Sequence, residues 1–185
     1  MGDPAAPPLQ AGQLFRVLDE HEVRYVVVGG LAAVVHGAGR VTFDIDVVPK
    51  WTTENLSRLA DALAAVGARL RVPGGAEPVE YPLDAKALRA FELSTWRTAY
   101  GDIDVIRGTP TTVKGRLAGY AALARRAHAR EAFGVTVFIA DLDDVIESKQ
   151  VLAREPDLAA LPELHRLRDR LARRRHHEPQ DPPTR

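Results

Sequence analysis

Two aspartates separated by one residue, Asp44 and Asp46, are the first candidates for chemistry because they interrupt an otherwise apolar segment. Residues 41–48 alternate between apolar and polar side chains, which predicts a strand with one apolar face and one acidic face. Both carboxylates then leave the same face, about 7 Å apart along the chain. Magnesium prefers oxygen ligands of this kind, and it usually takes one or two carboxylates together with substrate phosphates.

A pair of glycines, Gly29 and Gly30, follows the predicted buried strand 25–28 and precedes a predicted short helix at 31–36. Glycines at such a junction permit a positive φ and a close approach of the backbone to a ligand. The unpaired amides and positive dipole of the helix N-terminus would then face phosphate oxygens. The alternative is that the pair is only a turn. Its order relative to the acidic strand favours a phosphate site.

A third carboxylate for a two-metal site is predicted at Asp104, on a strand over 103–107. The Asp-x-Asp pattern alone has little weight, since it occurs at 44/46, at 102/104 and at 141/143. Asp141 is most simply the N-cap of a helix over 142–153. An isolated aspartate on a strand can also be merely solvent-facing.

Three stretches of the chain resemble a known enzyme superfamily: residues 27–46, with the Gly-Gly pair and Asp44-Ile45-Asp46; residues 98–104, ending in Asp104; and residues 141–157, which contain Lys149. Together they resemble the polymerase-beta-like nucleotidyltransferase superfamily. The branch they resemble most is the small bacterial AbiEii-type (MenT-like) enzymes, many of which are toxins of type IV toxin–antitoxin pairs.

The resemblance implies a set of site residues. Asp44, Asp46 and Asp104 would bind magnesium as catalytic carboxylates, with Asp104 accepting the proton of the acceptor hydroxyl. The implied nucleotide-binding residues are Gly29, Gly30, Arg40, Thr42 and Lys149. Many superfamily members have serine where this chain has Gly30, so one hydroxyl contact to phosphate is missing here.

The implied reaction moves a nucleotide from a nucleoside triphosphate (ATP is the usual example) to an acceptor hydroxyl, with release of pyrophosphate and two Mg²⁺ ions as cofactors. The implied acceptor is the 3′ end of tRNA, and the implied partner is a cognate antitoxin protein. Two alternatives remain open. The same chemistry could modify a protein or an antibiotic, or the chain could be a non-catalytic antitoxin or interaction partner with the same fold.

Several other residues have competing interpretations. Arg40 could clamp a phosphate or pair with an aspartate of the site, and Lys149 could reach the phosphates or be a solvated helix residue. His36, Trp51 and Trp96 are predicted to have structural roles. A cluster of arginines on the last helix could be a solvated face or could contact RNA phosphates. The cluster comprises Arg166, Arg168, Arg170, Arg173, Arg174 and Arg175.

Composition narrows the classes of protein. The 185 residues contain 25 basic and 25 acidic side chains, so the net charge gives no general attraction to nucleic acid. The chain has no cysteine, which excludes disulfides and zinc–cysteine sites. The chain has no apolar run of about 20 residues and no signal-peptide pattern at residues 1–8, so we expect a cytoplasmic protein without a membrane segment.

The predicted fold class is α/β (α+β), a mixed β-sheet flanked by helices with a mainly helical C-terminal part. The predicted organisation has a disordered N-terminus (1–8), a nucleotidyltransferase core (9–110), a C-terminal strand and helices packed on the core (111–175), and a polar tail (176–185). Within it, helices are expected at 9–22, 54–66, 116–130 and 157–175 and further strands at 96–100 and 135–139, with loops over 68–92.

Overall fold

The structure, a computed structural model, describes residues 7–75 and 77–177. The helices within them are α1 (Ala11–Glu20), α2 (Gly29–His36), α3 (Thr53–Ala65), α4 (Ala85–Arg89), α5 (Tyr120–Ala124), α6 (Leu142–Leu152) and α7 (Glu155–His177). The strands are β1 (Tyr25–Val28), β2 (Asp44–Pro49), β3 (Arg69–Arg71), β4 (Leu93–Thr98), β5 (Gly101–Ile106), β6 (Thr109–Pro110), β7 (Leu117–Ala118), β8 (His128–Ala132) and β9 (Val135–Ile139).

The main sheet of the described residues has seven strands in the order β3-β4-β5-β2-β1-β9-β8. Strand β2 pairs parallel with β5, and β1 pairs parallel with β9, whereas the remaining neighbours are antiparallel. The predicted fold class is confirmed, since the sheet is mixed and the helices α6 and α7 form the C-terminal part of the described residues. Strand β9 brings the C-terminal part of the chain into the central sheet beside β1.

One hydrophobic core joins the sheet to its helices. The β1 residues Val26 and Val27 are fully buried, and so is Trp96 on β4, as predicted for that tryptophan. Helix α3 contributes a buried apolar stripe, and its N-cap is Thr52, whose side chain accepts a hydrogen bond from the Asn55 amide. Burial of a large apolar side chain contributes roughly 1.5–3 kcal/mol, so these contacts fix the positions of the strand ends.

The helix predicted over 116–130 is wrong. This segment forms β7, the short helix α5 and the strand β8, and β7 pairs with β6 in a separate two-stranded ribbon. The spacing of Leu117, Tyr120 and Leu123 fits a helical period, but their burial differs: Leu123 lies in the core, whereas Leu117 is substantially exposed. The loop predicted over 68–92 contains β3 and α4.

The C-terminal helices meet at a sharp junction. Asp141 caps α6 as predicted, accepting a hydrogen bond from the Asp143 amide. Ala153 has a positive φ of 50°, which ends α6 and turns the chain into α7. Most of the predicted N-terminal disorder (1–6) and polar tail (178–185) lies outside the described residues, and the predicted boundary at residue 110 stays a prediction. Within those same residues, no helix is long and apolar enough to cross a membrane.

Candidate active site

The register of β2 and β5 brings the predicted carboxylates together. Asp46 lies opposite Asp104, and Asp44 lies opposite Asp102. In a parallel pair, opposite residues share a face of the sheet, so all four carboxylates leave the same side. Their apolar neighbours Ile45 and Ile103 point to the other side and are fully buried. Apolar burial on one face therefore forces an acidic patch onto the other.

Asp102 is distinct from its neighbours in this patch. Its buried carboxylate forms ion pairs with Arg71, at 2.9 Å, and with Arg97, at 3.1 Å. Arg97 lies opposite Asp102 on β4, and Arg71 comes from β3. These cations neutralise Asp102, which leaves Asp44, Asp46 and Asp104 as the acidic side chains available for chemistry.

Asp104 has an unmet hydrogen-bonding need. Its Oδ1 atom is buried and has no hydrogen-bond partner among the described residues. Burial raises the pKa of Asp104 to about 6. A hydrogen bond from Thr95 opposes this shift, and the nearby Asp44 and Asp102 add to it. A buried carboxylate oxygen without a donor is costly, and a cation beside it would remove that cost.

Asp46 is a second carboxyl whose charged form is disfavoured by its surroundings. Burial, with Asp44 and Asp104 beside it, raises the pKa of this carboxyl to about 7, although the Gly30 amide and Lys149 act in the opposite direction. The Gly30 amide lies 3.4 Å from Asp46 Oδ2. Two adjacent carboxyls with raised pKa values form a pair that is poorly compensated by the protein alone.

The Gly-Gly pair makes room for this pair of carboxylates. Gly29 has a φ of +63°, and a Cβ atom built on it would lie 2.0 Å from Asp46 Oδ2. A Cβ on Gly30 would lie 2.9 Å from Thr42 Oγ1. Helix α2 begins at Gly29, two residues earlier than predicted, so its N-terminal amides face the same space as Asp46.

Thr42 lies just before β2 and contacts Asp44. Its hydroxyl is within hydrogen-bonding distance of Asp44 Oδ1 (3.1 Å) and of the Asp44 carbonyl oxygen (3.2 Å). One hydroxyl proton can serve only one of these acceptors at a time. Thr42 thus orients Asp44 at the edge of the acidic patch.

Basic side chains face the carboxylates from the junction of α6 and α7. Lys149 Nζ donates to Asp157 Oδ1 at 2.9 Å, and Arg154 Nε donates to Asp157 Oδ2 at 2.7 Å. Both cations line the same cleft as Asp46 and Asp104. Asp157 therefore holds two cations at the cleft.

Arg40 and His36 lie away from this cleft. Arg40 donates to the carbonyl of Ala159 at 2.8 Å and pairs with Glu163 at 3.6 Å, both on α7. The predicted site role of Arg40 therefore finds no counterpart in the lining of the cleft. His36 binds the carbonyl of Ala140 at 2.8 Å, which is consistent with its predicted structural role.

The cleft has a volume of about 330 Å³ and a mixed polar and apolar lining. Asp46, Asp104, the start of α2 and the cations of the α6–α7 junction contribute polar groups. Leu93, Leu117 and Leu152 also line the cleft, and each of them is partly exposed. The sequence did not predict these apolar residues as part of the site, and its pattern places Leu117, which lies on β7, in a helix.

The carboxylates fit a divalent cation that brings further ligands with it. Over residues 7–75 and 77–177, no three acidic or histidine side chains are arranged to hold a metal ion by themselves. Magnesium commonly binds one or two carboxylates and completes its shell with water and substrate phosphates. Asp46 and Asp104, adjacent in register and with one orphaned oxygen, fit that requirement.

No family model and no curated protein matches the sequence. Among solved structures, the chain is similar to the lincosamide antibiotic adenylyltransferase LnuA in its lincomycin-bound form, with 15% identity, 87% of this chain and 99% of that chain covered, and a TM-score of 0.52.

Two further solved structures are similar to the chain with lower scores. A candidate nucleotidyltransferase from Thermotoga maritima has 14% identity, with 87% and 89% of the chains covered and a TM-score of 0.49. The antibiotic-resistance factor ANT(2'')-Ia has 16% identity, with 89% and 92% covered and a TM-score of 0.48. The likeness to LnuA shows a shared fold, and the chain spans almost the whole of that structure.

Proposed function

We propose that this protein is a magnesium-dependent nucleotidyltransferase that uses a nucleoside triphosphate as its substrate. The observation that carries the proposal is the in-register pair Asp46 and Asp104, with the orphaned Asp104 oxygen, facing the start of α2 and the cations Lys149 and Arg154. Carboxylates on one wall and phosphate-binding groups on the other suit a metal–triphosphate complex.

Each group has a defined task in this proposal. The α2 amides and Lys149 bind phosphate oxygens, while Asp46 and Asp104 hold Mg²⁺, with Asp44 completing the acidic set. When bound, Mg²⁺ would neutralise charge that develops on the phosphate oxygens. The acceptor oxygen forms a bond to the α-phosphorus as the bond to pyrophosphate breaks, and Asp104 takes the hydroxyl proton.

Release of pyrophosphate tests this function. The purified protein, incubated with Mg²⁺, each of the four nucleoside triphosphates and total RNA, should release pyrophosphate and label an acceptor. Asp104→Asn should reduce the rate by about 10²- to 10³-fold, as expected for loss of an electrostatic stabiliser. A protein that binds triphosphate but releases no pyrophosphate with any acceptor would instead be a non-catalytic partner.

We propose the 3′ end of tRNA as the acceptor and growth inhibition in the cytoplasm as the outcome, with a cognate antitoxin protein as partner. The sequence resemblance of residues 27–46 and 98–104 supports this. Induced expression should arrest growth, and expression of Asp104→Asn at the same level should not. Growth arrest by both proteins would show that the effect does not depend on transfer.

A small hydroxyl compound is the second candidate acceptor. The apolar lining residues Leu93, Leu117 and Leu152, which are partly exposed, favour it, because exposed apolar side chains in a groove often contact a ligand. LnuA, which shares the fold, is an adenylyltransferase of a lincosamide antibiotic. Labelling of lincomycin but not of RNA would favour this acceptor over tRNA.

A further inference from the structure

A second cavity, of about 240 Å³, lies beside the β9–α6 junction and is separate from the catalytic cleft. Basic side chains from three elements of the chain surround it. They are His36 at the end of α2, His128 and Arg130 on β8, and Arg168 and Arg174 on α7. We call this cavity the arginine pocket.

The acidic groups of the arginine pocket are largely occupied by contacts within the protein. Asp141 Oδ2 accepts a hydrogen bond from His128 Nε2 at 2.9 Å, and Asp141 Oδ1 accepts one from the Asp143 amide. Asp143 lies 3.9 Å from Arg168 and is otherwise largely exposed. The carboxylates therefore orient a histidine, a helix terminus and one arginine.

The arginines of the pocket differ in their pairing, and Arg168 also contacts Asp169, at 3.5 Å. Arg130 and Arg174 are exposed, and neither forms an ion pair with the acidic side chains that the structure describes. The His36 and His128 rings meet edge to face, with centroids 5.6 Å apart, and each uses its Nε2 atom in a hydrogen bond within the protein. Guanidinium groups with no carboxylate partner around a concave surface suit a phosphate group.

The position of the pocket relates it to the catalytic cleft. Helix α2 starts at the cleft and ends at the pocket, and α7 contributes Asp157 to the cleft and Arg168 to the pocket. A rise of about 1.5 Å per residue puts these α7 positions roughly 16 Å apart. That distance corresponds to only a few nucleotides of a single strand.

We infer that the arginine pocket binds a backbone phosphate of an RNA acceptor whose terminal hydroxyl reaches the catalytic cleft; this inference rests on the proposed nucleotidyl transfer. Four of the α7 arginines fall into two sets. Arg168 and Arg174 line the pocket, whereas Arg166 and Arg170 are exposed and do not line it. The local arrangement supplies attraction that the neutral net charge does not.

The two sets of arginines allow a matched experiment. The double variant Arg168→Gln/Arg174→Gln is compared with Arg166→Gln/Arg170→Gln, which removes the same charge from the same helix. Binding of a fluorescent single-stranded RNA oligonucleotide to the full chain is measured by anisotropy at several salt concentrations. Unchanged thermal unfolding and unchanged triphosphate affinity establish that both variants are folded with an intact cleft.

The pocket variant should bind RNA about tenfold more weakly than the wild type, because charge-assisted hydrogen bonds to phosphate are removed. Its salt dependence, the slope of log K against log salt, should be shallower by about 0.7 for each phosphate that the variant no longer neutralises. The control variant should retain most of the affinity. In transfer assays, the pocket variant should raise KM for RNA and leave kcat unchanged.

If both variants bind RNA equally weakly, the attraction comes from the diffuse charge of α7, and the inference is overturned. Unaltered RNA binding by the pocket variant would also overturn it. If inorganic phosphate perturbs the His128 resonances but the pocket variant keeps its RNA affinity, the cavity is a small-anion site and the inference also fails. RNA binding through the pocket without any pyrophosphate release would contradict the proposed function alone.

Discussion

At the scale of single residues, two aspartates on one strand have different roles. Asp104 has a buried oxygen without a partner among the described residues, whereas Asp102 is paired with Arg71 and Arg97. The sequence could predict that both leave the same strand face, because alternation along a strand is local. It could not predict which one is neutralised, because the arginines come from two other strands.

Gly29 gives the sharpest test at the scale of single residues. Gly29→Ala should destabilise the fold and abolish transfer, because the new Cβ would lie 2.0 Å from Asp46 Oδ2 at a φ of +63°. Gly67→Ala is the matched control, since Gly67 has a φ of +64° and open space around it. It should lose about 1 kcal/mol of unfolding free energy and keep full activity. Equal activity in the two variants would refute the close approach at Gly29.

The raised pKa of Asp46, caused mainly by burial and then by Asp44 and Asp104, predicts the pH dependence of stability. The folded protein holds the proton up to a pKa of about 7, whereas aspartate in the unfolded chain titrates near 3.9. Stability should therefore fall as pH rises from about 4 to about 7 in metal-free protein. Asp46→Asn should flatten that fall.

Urea unfolding at about pH 5 and about pH 7.5, without metal, measures this effect. The wild type should lose more unfolding free energy across this range than Asp46→Asn. Added Mg²⁺ should then restore stability to the wild type at the higher pH more than to the variant. If the unfolding free energy of the two proteins changes with pH in parallel, the raised pKa of Asp46 is not the cause of the fall in stability.

At the scale of elements, the sequence predicted the strands and helices that carry the motif but not those that close the cleft. Strand 25–28 and the acidic strand have local signals: a β-branched run and strict alternation. The ribbon of β6 and β7 has strands of two residues each, too short for a periodic signal. The helical spacing within 116–130 therefore determined the prediction, and the apolar residues that line the cleft were missed.

The α6–α7 junction depends on Asp157. Its nearly buried carboxylate accepts hydrogen bonds from Lys149 and Arg154, so Asp157→Asn should leave these cations without their counter-charge. We expect a loss of about 1–3 kcal/mol of unfolding free energy, because Lys149 is left half-buried without its counter-charge whereas Arg154 is mostly exposed, and a weaker affinity for triphosphate.

Asp169→Asn provides the control for this junction, because Asp169 lies on the same helix and its side chain is about half exposed. Thermal unfolding and a triphosphate-binding titration should show little change for it. If Asp157→Asn is as stable as Asp169→Asn and binds triphosphate as tightly as the wild type, the two cations are held by other contacts.

At the scale of the whole molecule, a neutral chain separates its charges into local regions. The acidic patch of β2 and β5 faces the cations of the α6–α7 junction, and the arginine pocket lies at the far end of α2. The composition predicted no general attraction to nucleic acid, and the fold concentrates basic groups where the sum of charges cannot show them.

The most direct test of the proposed catalytic centre is pyrophosphate release by the wild type and by Asp46→Asn and Asp104→Asn, measured with and without Mg²⁺. We expect release by the wild type only with Mg²⁺, and rates lower by about 10²- to 10³-fold in both variants, which should be at least as stable as the wild type near neutral pH. Release by either folded variant at the wild-type rate would contradict the assignment of this carboxylate pair as the catalytic centre.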